Sequence, residues 1–249
     1  MIKSWIITGD CHGSFERFDW IDNPTETAVI ILGDCGLNFY LNKSDQKRKI
    51  ALCETGITFY CVRGNHEERP ENLTSTTSIY DENVKGEVFF EAAYPAIRYL
   101  KDGQEYEIDG YKVLVLGGAY SIDKWYRLYR ASNTSSWTGW FKDEQLTAEE
   151  MDNIEKVCAG RSYDLVLSHT CPYSWRPIDL FLPIVDQSTV DNTMEYWMEE
   201  FKDKIKWKKW CFAHYHADRL IQPNIRMFYR YLMDLEDVMG EINDSNLDN

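Results

Sequence analysis

Eight side chains of metal-ligating type fall in five short clusters along this chain: Asp10 with His12, Asp34, Asn65 with His66, His169, and His214 with His216. All five histidines of the sequence, His12, His66, His169, His214 and His216, lie in these clusters or beside them. Imidazoles scattered through a core or over a surface would leave at least one elsewhere. Asp10-x-His12 sits between Gly9 and Gly13, which let the backbone bend so that both side chains reach one point. A carboxylate such as Asp34 can bridge two cations, one on each oxygen, while Asn65 adds a neutral oxygen and limits the negative charge. His214-x-His216 places two imidazoles on the same side of an extended segment, because side chains alternate with period two. Mixed His, Asp and Asn donors suit Mn2+, Fe or Zn2+ better than an all-oxygen Ca2+ cage.

The elements that must position these groups are short apolar runs, each ending in a cluster. Trp5–Thr8 precedes Gly9-Asp10, Ala28–Leu32 precedes Gly33-Asp34, and Ile57–Val62 precedes Arg63-Gly64-Asn65-His66. Val113–Leu116 runs into Gly117-Gly118, Leu165–Leu167 into Ser168-His169, and Trp210–Ala213 into His214. Such runs, rich in Val, Ile, Phe and Tyr, read as buried strands. Helices are predicted over 14–21, over 44–54 up to Gly56, from the capping box Thr147/Glu150 to about Cys158, and over 188–204. Extended segments are predicted across 87–108, and two strands across 219–232, broken at Gln222-Pro223-Asn224. Strand and helix in alternation imply parallel pairing by right-handed crossovers. Sites in such sheets form beyond the carboxyl ends of the strands. The fold class expected is α/β, two mixed sheets packed as a sandwich flanked by helices, in a single domain over 1–233.

The motif series resembles that of the calcineurin-like metallophosphoesterases, whose pattern runs GD-x-H, GD, GNH[DE], H and GH-x-H. Here it reads Gly9-Asp10-Cys11-His12, Gly33-Asp34, Gly64-Asn65-His66-Glu67, His169 and Ala213-His214-Tyr215-His216. Five motifs in order over residues 9 to 216 are far more specific than any one of them. The resemblance implies two divalent ions, Mn2+ first among the candidates with Fe and Zn2+ behind it. Asp10, His12, Asp34 and His216 would hold one ion; Asp34, Asn65, His169 and His214 would hold the other. It further implies hydrolysis of a phosphomonoester or phosphodiester by a metal-bridging hydroxide, with His66 protonating the leaving oxygen. Arg63 matches an arginine that grips a phosphoryl oxygen in the protein-phosphatase branch; an ion pair with Glu67 or Glu68 is the plainer reading. Two departures stand out. The protein-phosphatase form GD-x-x-DRG is absent at Gly33–Asn38, which leaves His66 without its orienting carboxylate, and Ala213 replaces the usual glycine.

Charge and composition narrow the function. Lys and Arg number 27 against 41 Asp and Glu, a formal net charge of −14. Such a surface repels a nucleic-acid backbone, so extensive nucleic-acid binding is not expected. Two bound cations, two carboxylates and a hydroxide would still leave the pocket at about one positive charge, enough to draw in a phosphate ester. The acidic stretch 234–249 reads as a solvated tail. Lys202, Lys204, Lys206, Lys208 and Lys209, with Trp207 and Trp210, form the main basic cluster, and it keeps a nuclease or end-processing phosphatase as the alternative. Seven cysteines show no C-x-x-C spacing of a zinc or redox site, and their odd count argues against a complete disulfide framework and fits a reducing compartment. The stretch Ile2–Thr8 is too short for a signal-peptide core and no apolar run reaches a membrane span, so a cytoplasmic location is expected.

The substrate is less legible. Trp125, Tyr126, Arg127, Tyr129, Arg130, Trp137 and Trp140 crowd the stretch between Tyr120 and Phe141. It reads either as a lid whose rings stack on a nucleoside, within a lid-like insertion over 119–162, or as rings packed on the sandwich, the commoner use of aromatic runs. Tyr173, Trp175 and Arg176 pose the same choice. A scaffold that has lost catalysis is the third class, and the complete ligand set with His66 speaks against it.

Overall fold

The computed structural model describes residues 2–134 and 139–244. In chain order its strands are β1 (Ser4–Thr8), β2 (Thr27–Ile31), β3 (Thr58–Cys61), β4 (Thr76–Asp81), β5 (Gly86–Glu91), β6 (Ile97–Leu100), β7 (Glu105–Ile108) and β8 (Tyr111–Leu116). They continue with β9 (Ser162–Ser168), β10 (Lys206–Phe212), β11 (Arg219–Gln222), β12 (Ile225–Met227) and β13 (Met233–Asp234). The helices are α1 (Lys43–Glu54), α2 (Lys124–Thr134), α3 (Ala148–Cys158), α4 (Thr193–Phe201) and α5 (Leu235–Asp244).

Two mixed sheets result. The first has the order β13-β1-β2-β3-β6-β5-β4, the second β11-β12-β10-β9-β8-β7. The centres are parallel, β1 to β2 to β3 to β6 and β8 to β9 to β10 to β12, with antiparallel strands at the edges. Their facing sides close on one core, in which Trp5, Ile7, Ile30 and Val62 meet Val113, Val115, Leu165 and Leu167. Strand β2 is buried along its whole length, which is why Ala28–Leu32 reads as an unbroken apolar run rather than an alternation. On the outer face of the second sheet, Met151 and Ile154 of α3 and Met194, Met198 and Phe201 of α4 cover Leu114, Val166 and Trp210. Leu52 of α1 covers Val29, Ile31 and Phe59 on the outer face of the first. This is the helix-flanked α/β sandwich that the sequence predicts.

Three segments differ from expectation. Residues 14–21 form only a 3-10 turn, Glu16–Trp20. Asn23, in the left-handed region, and Pro24 follow at once, so no second helical turn fits, and Phe18 alone anchors the segment in the core. The helix predicted over 188–204 is shorter: a 3-10 turn at Gln187–Thr189 precedes α4, whose first amide, that of Thr193, is capped by the Asp191 carboxylate at 3.0 Å. The acidic stretch is not a solvated tail from 234. Met233 and Asp234 pair with β1, and α5 drives Leu235, Val238 and Met239 into the inter-sheet core, an i, i+3, i+4 spacing hidden among acids. Residues 245–249 of that stretch lie outside the described residues. The capping box at Thr147 and Glu150 and the β11–β12 hairpin at Pro223 form as read from sequence. Among the described residues no helix is long and apolar enough to cross a membrane.

Candidate metal centre

Five of the parallel strands point their carboxyl ends to one edge of the sandwich, and the loops leaving β1, β2, β3, β9 and β10 carry the seven residues expected as ligands. The loops are wound tightly. His12, Asp34, His214 and His216 all adopt positive φ, at 48°, 47°, 69° and 53°. Backbone strain of this kind persists where surrounding structure enforces it, and it concentrates at functional sites. Close approach does the enforcing at Gly33 and Gly64. A Cβ on Gly33 would lie 2.2 Å from Nδ1 of His169, and one on Gly64 would lie 2.1 Å from Oδ1 of Asp34. Ala213, by contrast, keeps negative φ and buries its methyl between the sheets, so the missing glycine of the last motif costs nothing.

The seven residues converge on two adjacent donor sets. In the first, His216 Nε2 lies 3.0 Å from Asp10 Oδ2 and 2.9 Å from His12 Nε2. The ligand atoms of Asp10, His12 and His216 all fall within 4.8 Å of one another, spacing that suits a cation between them. In the second, His169 Nε2 stands 2.9 Å from Asn65 Oδ1 and 3.7 Å from Asp34 Oδ1, and the His214 ring lies 5.1 Å from that of His169. Asp34 belongs to both, since its Oδ2 is also 3.9 Å from His12 Nε2.

Neighbouring groups set the orientation of these donors. His169 Nδ1 donates to the Leu32 carbonyl at 2.7 Å, which frees Nε2 for a ligand role. Asn65 Nδ2 donates to Ser121 Oγ at 2.8 Å, and Ser121 in turn donates to Glu144 at 2.6 Å, so the amide oxygen of Asn65 faces the centre. Tyr229 stacks on His216 at 5.0 Å, and the Asp218 carboxylate fixes that aromatic by accepting from the amides of Tyr229, Arg230 and Tyr231.

Electrostatics agree with cation binding. Burial alone would raise both carboxyls, yet both are held below the ordinary carboxylate value: Asp10 by hydrogen bonding to His216 and the charge of His169, Asp34 by His66, His169 and His12. Burial pushes His214 down to about 3, with the charge of His169 adding to it, so the ring is neutral and free to ligate. His216 is raised, chiefly by its bond to Asp10. The buried Asp10 Oδ2 lies 3.0 Å from His216 Nε2. An ionised, buried carboxylate oxygen among imidazoles fits a divalent cation.

A cavity of about 740 Å3 opens from this centre, with His12, Asp34, His66, His214 and His216 on its floor. Arg63 does not reach it. Its guanidinium is buried, with Nε on Asp102 at 2.8 Å, Nη1 on the Glu144 carbonyl at 2.7 Å and Nη2 on the Gly117 carbonyl at 3.1 Å. The phosphate-gripping role expected of Arg63 is therefore corrected, and its ion-pair partner is Asp102 rather than Glu67 or Glu68. Arg48, Arg127 and Arg176 line the cavity instead. Of the two readings of the aromatic stretch, packing on the sandwich fails for Trp125, Tyr126 and Tyr129, which are exposed on α2, whereas Tyr120, Phe141 and Trp175 are buried. Trp137 lies outside the described residues. Ser121, Asp123 and Glu144 were not singled out from sequence, and Arg127 was named only within the aromatic stretch. The pointer was the sixth strand end at Gly117-Gly118, which carries no ligand of its own yet aims the following loop at the same rim.

A two-sheet α/β sandwich with Asp and His donors gathered at its strand ends carries a candidate metal site at Asp10, His12 and His216. The calcineurin-like phosphoesterase family model matches residues 5–218, and the chain belongs to that family. No curated protein matches it. Fourteen chains of solved structures do. One of these, a crystal structure, is 13% identical over 95% of this chain and 96% of its own length at a TM-score of 0.40, a likeness too slight to argue from.

Proposed function

We propose that this protein hydrolyses a phosphate ester at a pair of divalent cations, with Asp10, His12, Asp34 and His216 holding one and Asp34, Asn65, His169 and His214 the other. The observation that carries this is the sharing of Asp34 between two donor sets that together use all seven residues. A bound cation pair of this kind, Mn2+ first among Mn2+, Fe and Zn2+, supplies an activated water at neutral pH and neutralises charge on the phosphoryl group. The chain's own residues do the rest. His66 lines the cavity beside Asp34 and His12, where it can give a proton to the departing oxygen. Burial lowers its affinity for that proton, and Asp34 opposes the effect. A phosphoryl dianion in the cavity adds further negative charge and favours the imidazolium. Arg48 and Arg127 take the place expected of Arg63, offering guanidinium donors to the equatorial oxygens.

The nuclease alternative draws no support from the lysine cluster. Lys202, Lys204 and Lys208 pair with Glu199, Glu155 and Asp164, and Lys209 is buried against the Pro223 carbonyl. The test is metal analysis of protein purified without chelator, followed by assay of a generic monoester and a generic diester with added Mn2+. Metal-free protein that cleaves neither under any divalent ion would end the proposal.

A further inference from the structure

We propose that the substrate is a phosphate ester of an apolar, aromatic-sized alcohol or phenol. Its organic group sits against Ile122, Leu180, Phe181, Leu182 and Val190, all of which line the cavity. The phosphoryl end faces the histidines on the floor. The proposal rests on the phosphoesterase reading and assigns the part of the cavity that this reading leaves unused.

The cavity, about 740 Å3, lies within the roughly 300–1,000 Å3 of sites that enclose a whole small molecule. A phosphoryl group on a short polar alcohol would leave most of it to water. Two loops build the apolar wall, one leading into α2 and one joining β9 to α4. The Tyr120 hydroxyl donates to the Thr189 carbonyl at 3.3 Å and ties the two loops together. Between them they leave apolar surface wet: Leu180, Ile122 and Leu182 are 38%, 43% and 53% exposed. Gathered at a cavity, such side chains shed that water when an apolar group covers them.

That wall is held in place by its own contacts. Asp179 accepts from Arg219 through both oxygens, at 2.9 and 2.8 Å, which ties the turn Ile178–Leu180 to β11. Arg176 lies 3.5 Å over the Tyr173 ring and 5.6 Å from that of Phe181, and it donates to Asn192 Oδ1 at 2.7 Å. Phe181 stacks on Tyr215 at 6.3 Å and 15°, and Tyr215 stands between the proposed ligands His214 and His216. The apolar wall therefore starts beside the metal centre, within reach of a group esterified to a phosphate there. A surface already ordered loses little freedom on binding. Charge excludes a polyanionic group. The carboxylates of Asp191 and Glu195 also line the cavity, and Arg176 is paired with Glu195 at 3.4 Å. A second phosphate would be repelled by them, whereas a neutral ring would not.

2-Naphthyl phosphate and phenyl phosphate test this, since their leaving groups are similarly acidic and differ by one ring. In the full-length, Mn2+-loaded protein, kcat/KM should be at least roughly 10-fold higher for the naphthyl ester. Leu180→Ser combined with Leu182→Ser should cut that advantage below about threefold. Both side chains are exposed, so the fold does not depend on them. Equal kcat/KM for the two esters in wild type, or an advantage that survives the double substitution, overturns the proposal. Calorimetry separates it from the hydrolase reading, using the uncleavable 2-naphthylmethylphosphonate and benzylphosphonate. Wild type should bind the larger one at least roughly 10-fold more tightly. Protein that cleaves neither ester yet shows this preference fails as a hydrolase and keeps the apolar seat. Equal affinities, or binding of neither, remove the seat even from an active enzyme.

Discussion

Asn65 Nδ2 donates to Ser121 Oγ at 2.8 Å, and this bond decides which end of the amide faces the metal centre. With the nitrogen held, Oδ1 is turned to within 2.9 Å of His169 Nε2. Groups that orient a ligand typically matter 10- to 100-fold to metal affinity. Ser121→Ala should therefore weaken the more loosely held ion by about 10- to 100-fold, read by competition with a fluorescent chelator. The thermal transition of the metal-free protein should move little. Unchanged affinity at both positions would show that the amide needs no outside support.

The shared carboxylate and the proton donor should separate in a pair of variants. Asp34→Asn removes a charge from both donor sets and should lose at least one ion per molecule by elemental analysis. His66→Ala leaves all seven proposed ligands in place, so metal content should persist while turnover falls roughly 10²- to 10⁴-fold. Equal metal content in wild type and Asp34→Asn would count against its bridging position.

The gathering of ligand-type side chains was legible because each cluster lies at the end of a strand whose apolar run is unmistakable, and because no histidine falls anywhere else. The fold followed for the same reason: Ala28–Ile31 and Val113–Leu116 can be little else but buried strands. What stayed hidden depends on tertiary contact. Nothing local distinguishes Arg63 gripping a substrate from Arg63 bonded to Asp102, 39 residues away. The anchors of α5 are three apolar residues in an acidic stretch, too few to outweigh its charge when read in one dimension. The aromatic content of α2 suggested packing, whereas the structure leaves Trp125, Tyr126 and Tyr129 facing outward.

The two arginine roles can be told apart by what each variant damages. Arg63→Ala strands the Asp102 carboxylate and two carbonyls in a buried setting, and loss of one partner from a buried pair costs about 3–5 kcal/mol. Its first effect should be a lower denaturation midpoint in urea. Arg127→Ala keeps the fold and removes a charged donor from the cavity, so kcat/KM should fall by about 1.5–3 kcal/mol, or roughly 10- to 100-fold. A kinetic defect in a fully stable Arg63→Ala would restore that residue to the active site.

Glu67 links stability to pH in a way that metal should weaken. Burial, reinforced by the charge of Asp34, pushes its carboxyl up to about 8, against a bond from the Gly64 amide that lowers it. Its Oε2 is buried without a partner, as expected of a group that carries a proton when folded. Between about pH 4.5 and 8 the metal-free folded state thus keeps a proton that the unfolded chain has released. The resulting stabilisation is complete below the unfolded value and is lost as pH rises through 8, with an upper bound of about 5 kcal/mol. The melting temperature of metal-free protein should fall across this range, and Glu67→Gln, which cannot ionise, should flatten the slope. Cations beside Asp34 would cancel the repulsion that raises Glu67, so the metal-loaded protein should show a shallower slope than the metal-free one. Identical slopes for wild type and Glu67→Gln in the absence of metal would mean that this carboxyl is ionised in the fold.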